Sequence, residues 1–421
     1  MTLFFGIRGR AALRQYGYLL CLLPIIAAGS YCSVAYRMVN QAPGETGSAA
    51  LGWLQTGSIS NPYLVPTGPT AHVAPGTAVL LAAVYSLFGG NSPVARVVLG
   101  LMATVEYALS VWLVLVICAA LRLNRVGIAA AILLGCLFPV HLYDDVVNYR
   151  QWDQPTSAVF LTALLLVWIR FGIVGSCWIR PSLMLGALGG IGSLFAPALP
   201  LVAVVAAVAL ALRQRNWRIA TVVVLLVLVG MIPWALRNQS ALGSLVLTRS
   251  NYGLELAAGN HDAATGTFDL NAMPPIHPHD HPVAVDRLAM IGEVAYMAEM
   301  KAQALTWIRG HPERFVELCL HRARLLFFPD QAGGDPLFRW LKLPLLWAVS
   351  ALATLSLVLL AARRQPVMPW LACIGLPLLP YVFSHAAIRY TFPTYFVFIA
   401  LIAAGADQLT MRQEANHLRT F

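Results

Sequence analysis

Apolar residues in this chain come in blocks. They do not follow the one-sided stripe of a helix that lies on a soluble core. Near-continuous apolar runs occupy roughly 16–36, 97–121, 126–141, 157–174, 182–196, 198–212, 217–235, 343–361, 367–384 and 391–408. Most approach the length of about 20 residues that a helix needs to cross a bilayer. Inside lipid the backbone has to satisfy its own hydrogen bonds, so such runs are read as helices. One further run, 75–89 (PGTAVLLAAVYSLFG), is short for a crossing and suits an interfacial or re-entrant helix. The pattern predicts an all-α polytopic membrane protein, a bundle of about ten transmembrane helices within a range of roughly nine to twelve.

Composition agrees. Of 421 residues, 59% are hydrophobic and 11% charged, and the mean hydropathy is +0.70. A soluble domain carries about 25% charged residues. The net charge of +10 is therefore read as cytoplasmic loops, with no nucleic-acid partner. Seven cysteines show no CxxC or zinc-type spacing, which predicts no disulfide framework and no cysteine metal site.

Basic residues also set the direction of the chain. If 75–89 does not cross, one side collects Arg8, Arg10 and Arg14, RLNR (122–125), Arg170 with Arg180, RQRNWR (213–218), ARR (362–364) and Arg412. That side is then the cytoplasm, and both termini lie there. If 75–89 crosses, every later loop inverts. The first arrangement gives one domain over 1–421, with an uncleaved first span. It places 37–96, 142–156, 236–342 and 385–390 on the outer face of a plasma (bacterial inner) membrane. Two of these, the first outer loop 37–96 with its interfacial helix 75–89 and the large loop 236–342, are too long for simple connectors. In the large loop, 236–271 reads as irregular, the MPPIHPHDHP segment as a mobile turn, and 284–327 as helical with a break at GHPERF.

Candidate chemistry gathers on that outer face. Glu45 and His72 lie in the first loop. HLYDDVVNYRQWDQP (141–155) carries Asp144, Asp145, Arg150 and Asp153. Arg237 ends IPWALR, and Arg389 precedes the last span. A phosphate leaving group needs a cation to stabilise it, from Arg, Lys or a divalent metal ion. An attacking hydroxyl needs a carboxylate to take its proton. A lipid tail needs a groove open to the bilayer. Plainer roles exist for the same residues. Glu45 and Asp153 could cap helices beginning near Thr46 and Pro155, Asp144 and Asp145 could be solvated loop acids, and the arginines could snorkel. Glu106 sits inside a span, where an acid is costly. The His277, His279, Asp280 and His281 cluster is broken by Pro278 and Pro282, which suits a loop better than a metal site.

APGETGSAALGWLQTG followed by YLVPTGPTAHVAPGTAVLLAAVYSLFGGNSPVARVV resembles the first outer loop of GT-C glycosyltransferases. More narrowly, it resembles the bacterial relatives of protein O-mannosyltransferases and the lipid A aminoarabinose transferase. IPWALRNQSALGSLVLTRSNYGLELAAGN, GEVAYMAEMKAQALTWIRGHPERF and SHAAIRYTFPTYFVFIALIAAG extend the resemblance over about residues 30 to 408. The resemblance implies a GT-C type bundle that moves one sugar from a polyprenyl-phosphate donor to a lipid, glycan or protein acceptor at the outer face. It implies Glu45 as the first-loop carboxylate, base or metal contact, where many members carry Asp. It implies Asp153 as the second-loop acid, and Arg389 and Arg237 as contacts to the donor phosphate. His72, Asp145 and Arg150 join them as substrate contacts, and a divalent metal ion is the one cofactor in view. Two rivals stand beside this reading, a lipid-linked sugar flippase and a non-catalytic assembly partner. A flippase predicts two related halves, and no internal repeat is visible.

Overall fold

The computed structural model describes residues 20–417, apart from 40, 64, 137–138, 174–176, 270–271 and 332–335. Arg8, Arg10 and Arg14 and the start of the first expected span lie outside the described residues. Helices coincide with all ten expected spans. They are α1 (Leu23–Ala35), α4 (Pro93–Ala120), α5 (Arg125–Cys136), α7 (Gln154–Ile173), α8 (Ile179–Gly192), α9 (Ala198–Gln214), α10 (Arg218–Leu242), α15 (Pro336–Ala362), α16 (Met368–Phe383) and α17 (Ile388–His417). Between them come α2 (Gly44–Thr56), α3 (Pro75–Phe88), α6 (Pro139–Tyr143), α11 (Tyr252–Gly259), α12 (Pro282–Ile291), α13 (Glu293–Gly310) and α14 (Pro312–Phe327). Among the described residues five helices are long and apolar enough to cross a membrane. Arg125–Cys136 and His141–Asn148, a pair bent by 46°, make a broken span or a re-entrant loop. This is a multi-pass membrane protein.

Sequence punctuation explains the helix ends. Ser92 caps α4, its hydroxyl accepting from the Ala95 amide at 3.1 Å, and Pro93 follows with its fixed φ. Pro75 opens α3 in the same way. At 14 residues α3 is about 21 Å long, less than the hydrocarbon core of about 30 Å.

Burial shows which helices are central. In α17 the apolar window is 78% buried, and in α10 it is 33% buried. Leu161, Leu164 and Leu165 of α7 and Phe396, Val397 and Ile399 of α17 are fully enclosed, so these two helices form the middle of the bundle. Helix α10 lies at the edge and packs on α8. A Cβ on Gly230 would stand 2.6 Å from the Gly190 carbonyl, so glycine lets the two backbones touch. A second small core, with Tyr63, Leu254, Leu288, Tyr296 and Met300, unites α11, α12 and α13 with the first loop.

The segments that bear basic residues meet at one end of the bundle. Asp407 accepts from the Asn124 amide at 2.7 Å, and Arg363 donates to the Gln408 carbonyl. The described candidate site residues lie toward the other end. From Ile388 to Asp407, α17 rises about 29 Å, which is the thickness of a hydrocarbon core.

Two expectations need correction. The stretch 236–271 is not irregular throughout, because α10 continues to Leu242 and α11 forms at Tyr252–Gly259. Asp144 and Asp145 are not solvated. They form part of a π-helical turn, Asp144–Asn148, and are 2% and 0% exposed. Lys342 reaches in from α15 to pair with Asp144 at 2.7 Å, which is how a charge survives there.

Candidate active site

Four segments far apart in sequence enclose a cavity of about 450 Å³. Helix α2 brings Glu45. The turn before α7 brings Trp152 and Asp153. The connector after α10, with α11, brings Arg249 and Glu255. The start of α17 brings Arg389 and Tyr390. The opposite wall is apolar and includes Leu161, Leu199, Pro377, Leu379, Phe383 and Pro393. Leu379 and Phe383, one turn apart on α16, are 49% and 36% exposed.

Glu45 lies in the first turn of α2. Its Oε2 pairs with His72 Nε2 at 3.1 Å, and its Oε1 lies 3.6 Å from His277 Nε2. His72 is wholly buried, and its Nδ1 is 3.0 Å from the Tyr63 hydroxyl. The loop that carries His72 is fixed from behind by Glu293, at the start of α13. That carboxylate accepts from the Thr70 hydroxyl, from the Ala71 amide at 2.8 Å and from the Ser250 hydroxyl at 2.7 Å. Burial disfavours the Glu45 carboxylate. The charge and contact of His72, with His277 and His279 behind, overcome that and hold it well below the usual range. Burial likewise works against the His72 cation, but the Glu45 charge outweighs it and moves the imidazole up. The two shifts favour the same charged pairing, carboxylate with imidazolium.

Asp153 faces Arg249 NH1 at 3.7 Å. Arg389 donates to the Tyr390 hydroxyl at 3.1 Å, and its guanidinium lies 4.9 Å from the Trp152 ring centre. The aromatic face supports the cation without neutralising it.

Of the residues expected from sequence, Glu45, Asp153 and Arg389 line the cavity, and His72 stands directly behind Glu45. Three others do not line it. Arg237 points into the first outer loop, where it donates to the Thr70 and Ile59 carbonyls and the Ser58 hydroxyl and lies 4.8 Å from the Trp234 ring centre. It is a brace, because its donors are spent on the loop. Arg150 donates to the Val39 carbonyl at the end of the first span. Asp145 is buried in the π-helical turn. The sequence reading missed Arg249, Glu255 and His277. Arg249 and Glu255 lie in a stretch without period, and His277 in a segment read as a mobile turn. The available signal was the concentration of charged and histidine side chains at the outer ends of spans.

The Glu45 and His277 donors suit a divalent cation in type, and the buried Glu45 Oε1 accepts no hydrogen bond. As placed they number two. Among the described residues no group of three His, Cys, Asp or Glu converges to hold a metal.

No protein-family model matches the chain, and no curated protein does. Solved structures do. The archaeal oligosaccharyltransferase AglB from Archaeoglobus fulgidus, in complex with an inhibitory peptide and a dolichol-phosphate, superposes with a TM-score of 0.52 at 13% identity. That match covers 97% of this chain and 51% of the neighbour, so the chain spans about half the neighbour's length. ArnT from Cupriavidus metallidurans in the apo state gives 0.38 at 17% identity, over 93% of this chain and 77% of that one. The first of these likenesses establishes the fold, a GT-C type bundle.

Proposed function

We propose that this GT-C-fold protein is a membrane glycosyltransferase that moves one sugar from a polyprenyl-phosphate donor to an acceptor hydroxyl at the outer face of the plasma membrane. One observation carries the reading. Glu45, Asp153 and Arg389 come from three distant segments to one cavity, and its other wall is apolar, with Leu379 and Phe383 exposed. A donor with a polar head and a prenyl tail matches those two walls. The AglB neighbour, which binds a dolichol-phosphate, supports a lipid phosphate in this fold.

The chemistry follows from the charges. The acceptor oxygen attacks the anomeric carbon, forming a new C–O bond as the bond to the phosphate oxygen breaks, with inversion. Polyprenyl phosphate departs, and Arg389 stabilises its developing charge. A carboxylate held as low as Glu45 is always ionised but weakly basic. It therefore orients the acceptor hydroxyl and stabilises positive charge at the anomeric carbon, then takes the proton late, once the attacking oxygen has become acidic. Asp153, held by Arg249, positions the acceptor. The acceptor is a lipid, glycan or protein hydroxyl that reaches the cavity from outside.

The test is a deletion strain of the source organism. Mass spectrometry of its envelope glycoconjugates is expected to show one sugar missing, restored by the wild-type gene and not by Glu45→Gln. Unchanged envelope sugars in the deletion would end the proposal.

A further inference from the structure

The charges on the cavity wall cancel in pairs, with two exceptions. Glu45 faces His72, and Asp153 faces Arg249. Arg389 has no carboxylate within 4.0 Å among the described residues. The other exception is Glu255, on α11. Its Oε1 accepts from Asn251 at 2.9 Å. Its Oε2 is 3.6 Å from His385 Nε2 and has no hydrogen-bond donor among the described residues.

His385 does not neutralise it. The Tyr390 hydroxyl has one proton. It accepts from Arg389 at 3.1 Å and lies 2.8 Å from His385 Nε2, which leaves its own proton available to that nitrogen in the neutral imidazole. Burial then holds His385 neutral and lowers it to about 4, against the pull of the Glu255 charge. Glu255 thus meets the cavity as a carboxylate with a free acceptor oxygen.

Its position is fixed. Wholly buried Arg322 donates to the Gly259 carbonyl, to Asn260 Oδ1 at 3.2 Å and to the Phe383 carbonyl at 3.1 Å. A Cβ on Gly259 would stand 1.8 Å from the Ser384 carbonyl, so α11 lies backbone to backbone on the turn that carries His385. Glu255 and Arg389 are held at a set separation by this contact.

We propose that Glu255 reads the donor sugar, its free oxygen accepting hydrogen bonds from ring hydroxyls while Arg389 holds a single phosphate. The assignment rests on the glycosyl-transfer reading. It adds a specificity-determining residue to that reading, with the phosphate left to Arg389, which has no carboxylate within 4.0 Å among the described residues. A site that bonds a hydroxyl strongly rejects an analogue lacking it.

The experiment measures binding to the full-length protein in detergent by competition with radiolabelled farnesyl phosphate. The competitors are farnesyl phosphate alone and farnesyl phosphates bearing glucose, galactose, mannose or arabinose. At least one sugar is expected to raise affinity about tenfold, the worth of one charge-assisted hydrogen bond. Glu255→Gln should abolish that gain while bare farnesyl phosphate binds at least as tightly as to wild type, since a carboxylate charge acting on Arg389 is removed, and that retained binding certifies the fold. No gain from any sugar, or a gain that survives Glu255→Gln, overturns the role of Glu255 and leaves the glycosyl-transfer reading intact. If farnesyl phosphate does not bind, or binds equally to Arg389→Ala, the glycosyl-transfer reading fails and this assignment fails with it.

Discussion

Replacing His72 by Gln removes the cation behind Glu45 without touching the cavity wall. His72 is 0% exposed and the Glu45 side chain 17% exposed, so water screens the pair poorly. Breaking a buried pair by deleting one partner typically costs about 3–5 kcal/mol. Glu45 keeps some solvent and keeps His277 at 3.6 Å, so we expect about 2–4 kcal/mol here. The lower figure is equivalent to about 1.5 pKa units on the Glu45 carboxyl. The sign of the pH effect follows. The raised His72 contributes stability in full below its ordinary 6.5 and loses it as pH climbs through the folded value. The lowered Glu45 contributes above its ordinary 4.5 and loses it as pH falls through the folded value. Thermal unfolding of the wild type in detergent should therefore show a plateau between those two ordinary values, with this pair's share declining at more acidic and more alkaline pH. In His72→Gln burial is less opposed and the neutral carboxyl is favoured. The Tm should be several degrees lower at pH 7, and the decline that His72 brings at more alkaline pH should be absent. An unchanged Tm and an unchanged pH profile in His72→Gln would refute the ion-pair argument.

Glu45→Gln and Asp153→Asn should each reduce transfer by about 100-fold or more, read by radiolabelled sugar incorporation into membranes, and Glu45→Gln should also lower the Tm by several degrees because it breaks the same pair with His72. Arg237→Ala should destabilise the fold by about 2–4 kcal/mol, from lost bonds to Thr70, Ile59 and Ser58, yet leave farnesyl phosphate affinity unchanged. Loss of affinity without loss of stability would instead make Arg237 a donor contact. Gly230→Leu should prevent α8 and α10 from closing, seen as loss of the monodisperse peak in size-exclusion chromatography. In a background without native cysteines, Ala263→Cys near the cavity should label with an impermeant thiol reagent in intact cells, and Gln365→Cys at the opposite end only in opened cells. The reverse pattern would turn the whole bundle over.

The sequence is most legible where lipid alone sets the rule. Apolar runs such as 97–121 and 391–408 had to be helices, and α4 and α17 lie there. Glu45 and Asp153 were recognisable from their surroundings in GETG and WDQP, and both reach the cavity. Asp144 and Asp145 were misplaced because a polar cluster between two apolar runs reads as a solvated loop. The pairing that holds buried Asp144 comes from Lys342, which is 198 positions away and carries no local signal. Arg237 shows the converse. An arginine at a span end looks like a headgroup or phosphate contact, yet its partners are loop carbonyls that only the folded chain presents. Glu255 and Arg249 were illegible for a similar reason, since α11 is too short for a periodic signal and Arg322 fixes its end from another helix.

The central claim concerns consumption of a lipid-phosphate sugar in this cavity. It is tested most directly in membranes of the deletion strain, where the unused donor should accumulate. Purified wild-type protein added back in detergent should convert that donor to polyprenyl phosphate, followed by mass spectrometry of the lipid extract. Glu45→Gln and Asp153→Asn protein should leave it intact. A donor pool that wild-type protein does not discharge, or that both variants discharge equally fast, would contradict the account.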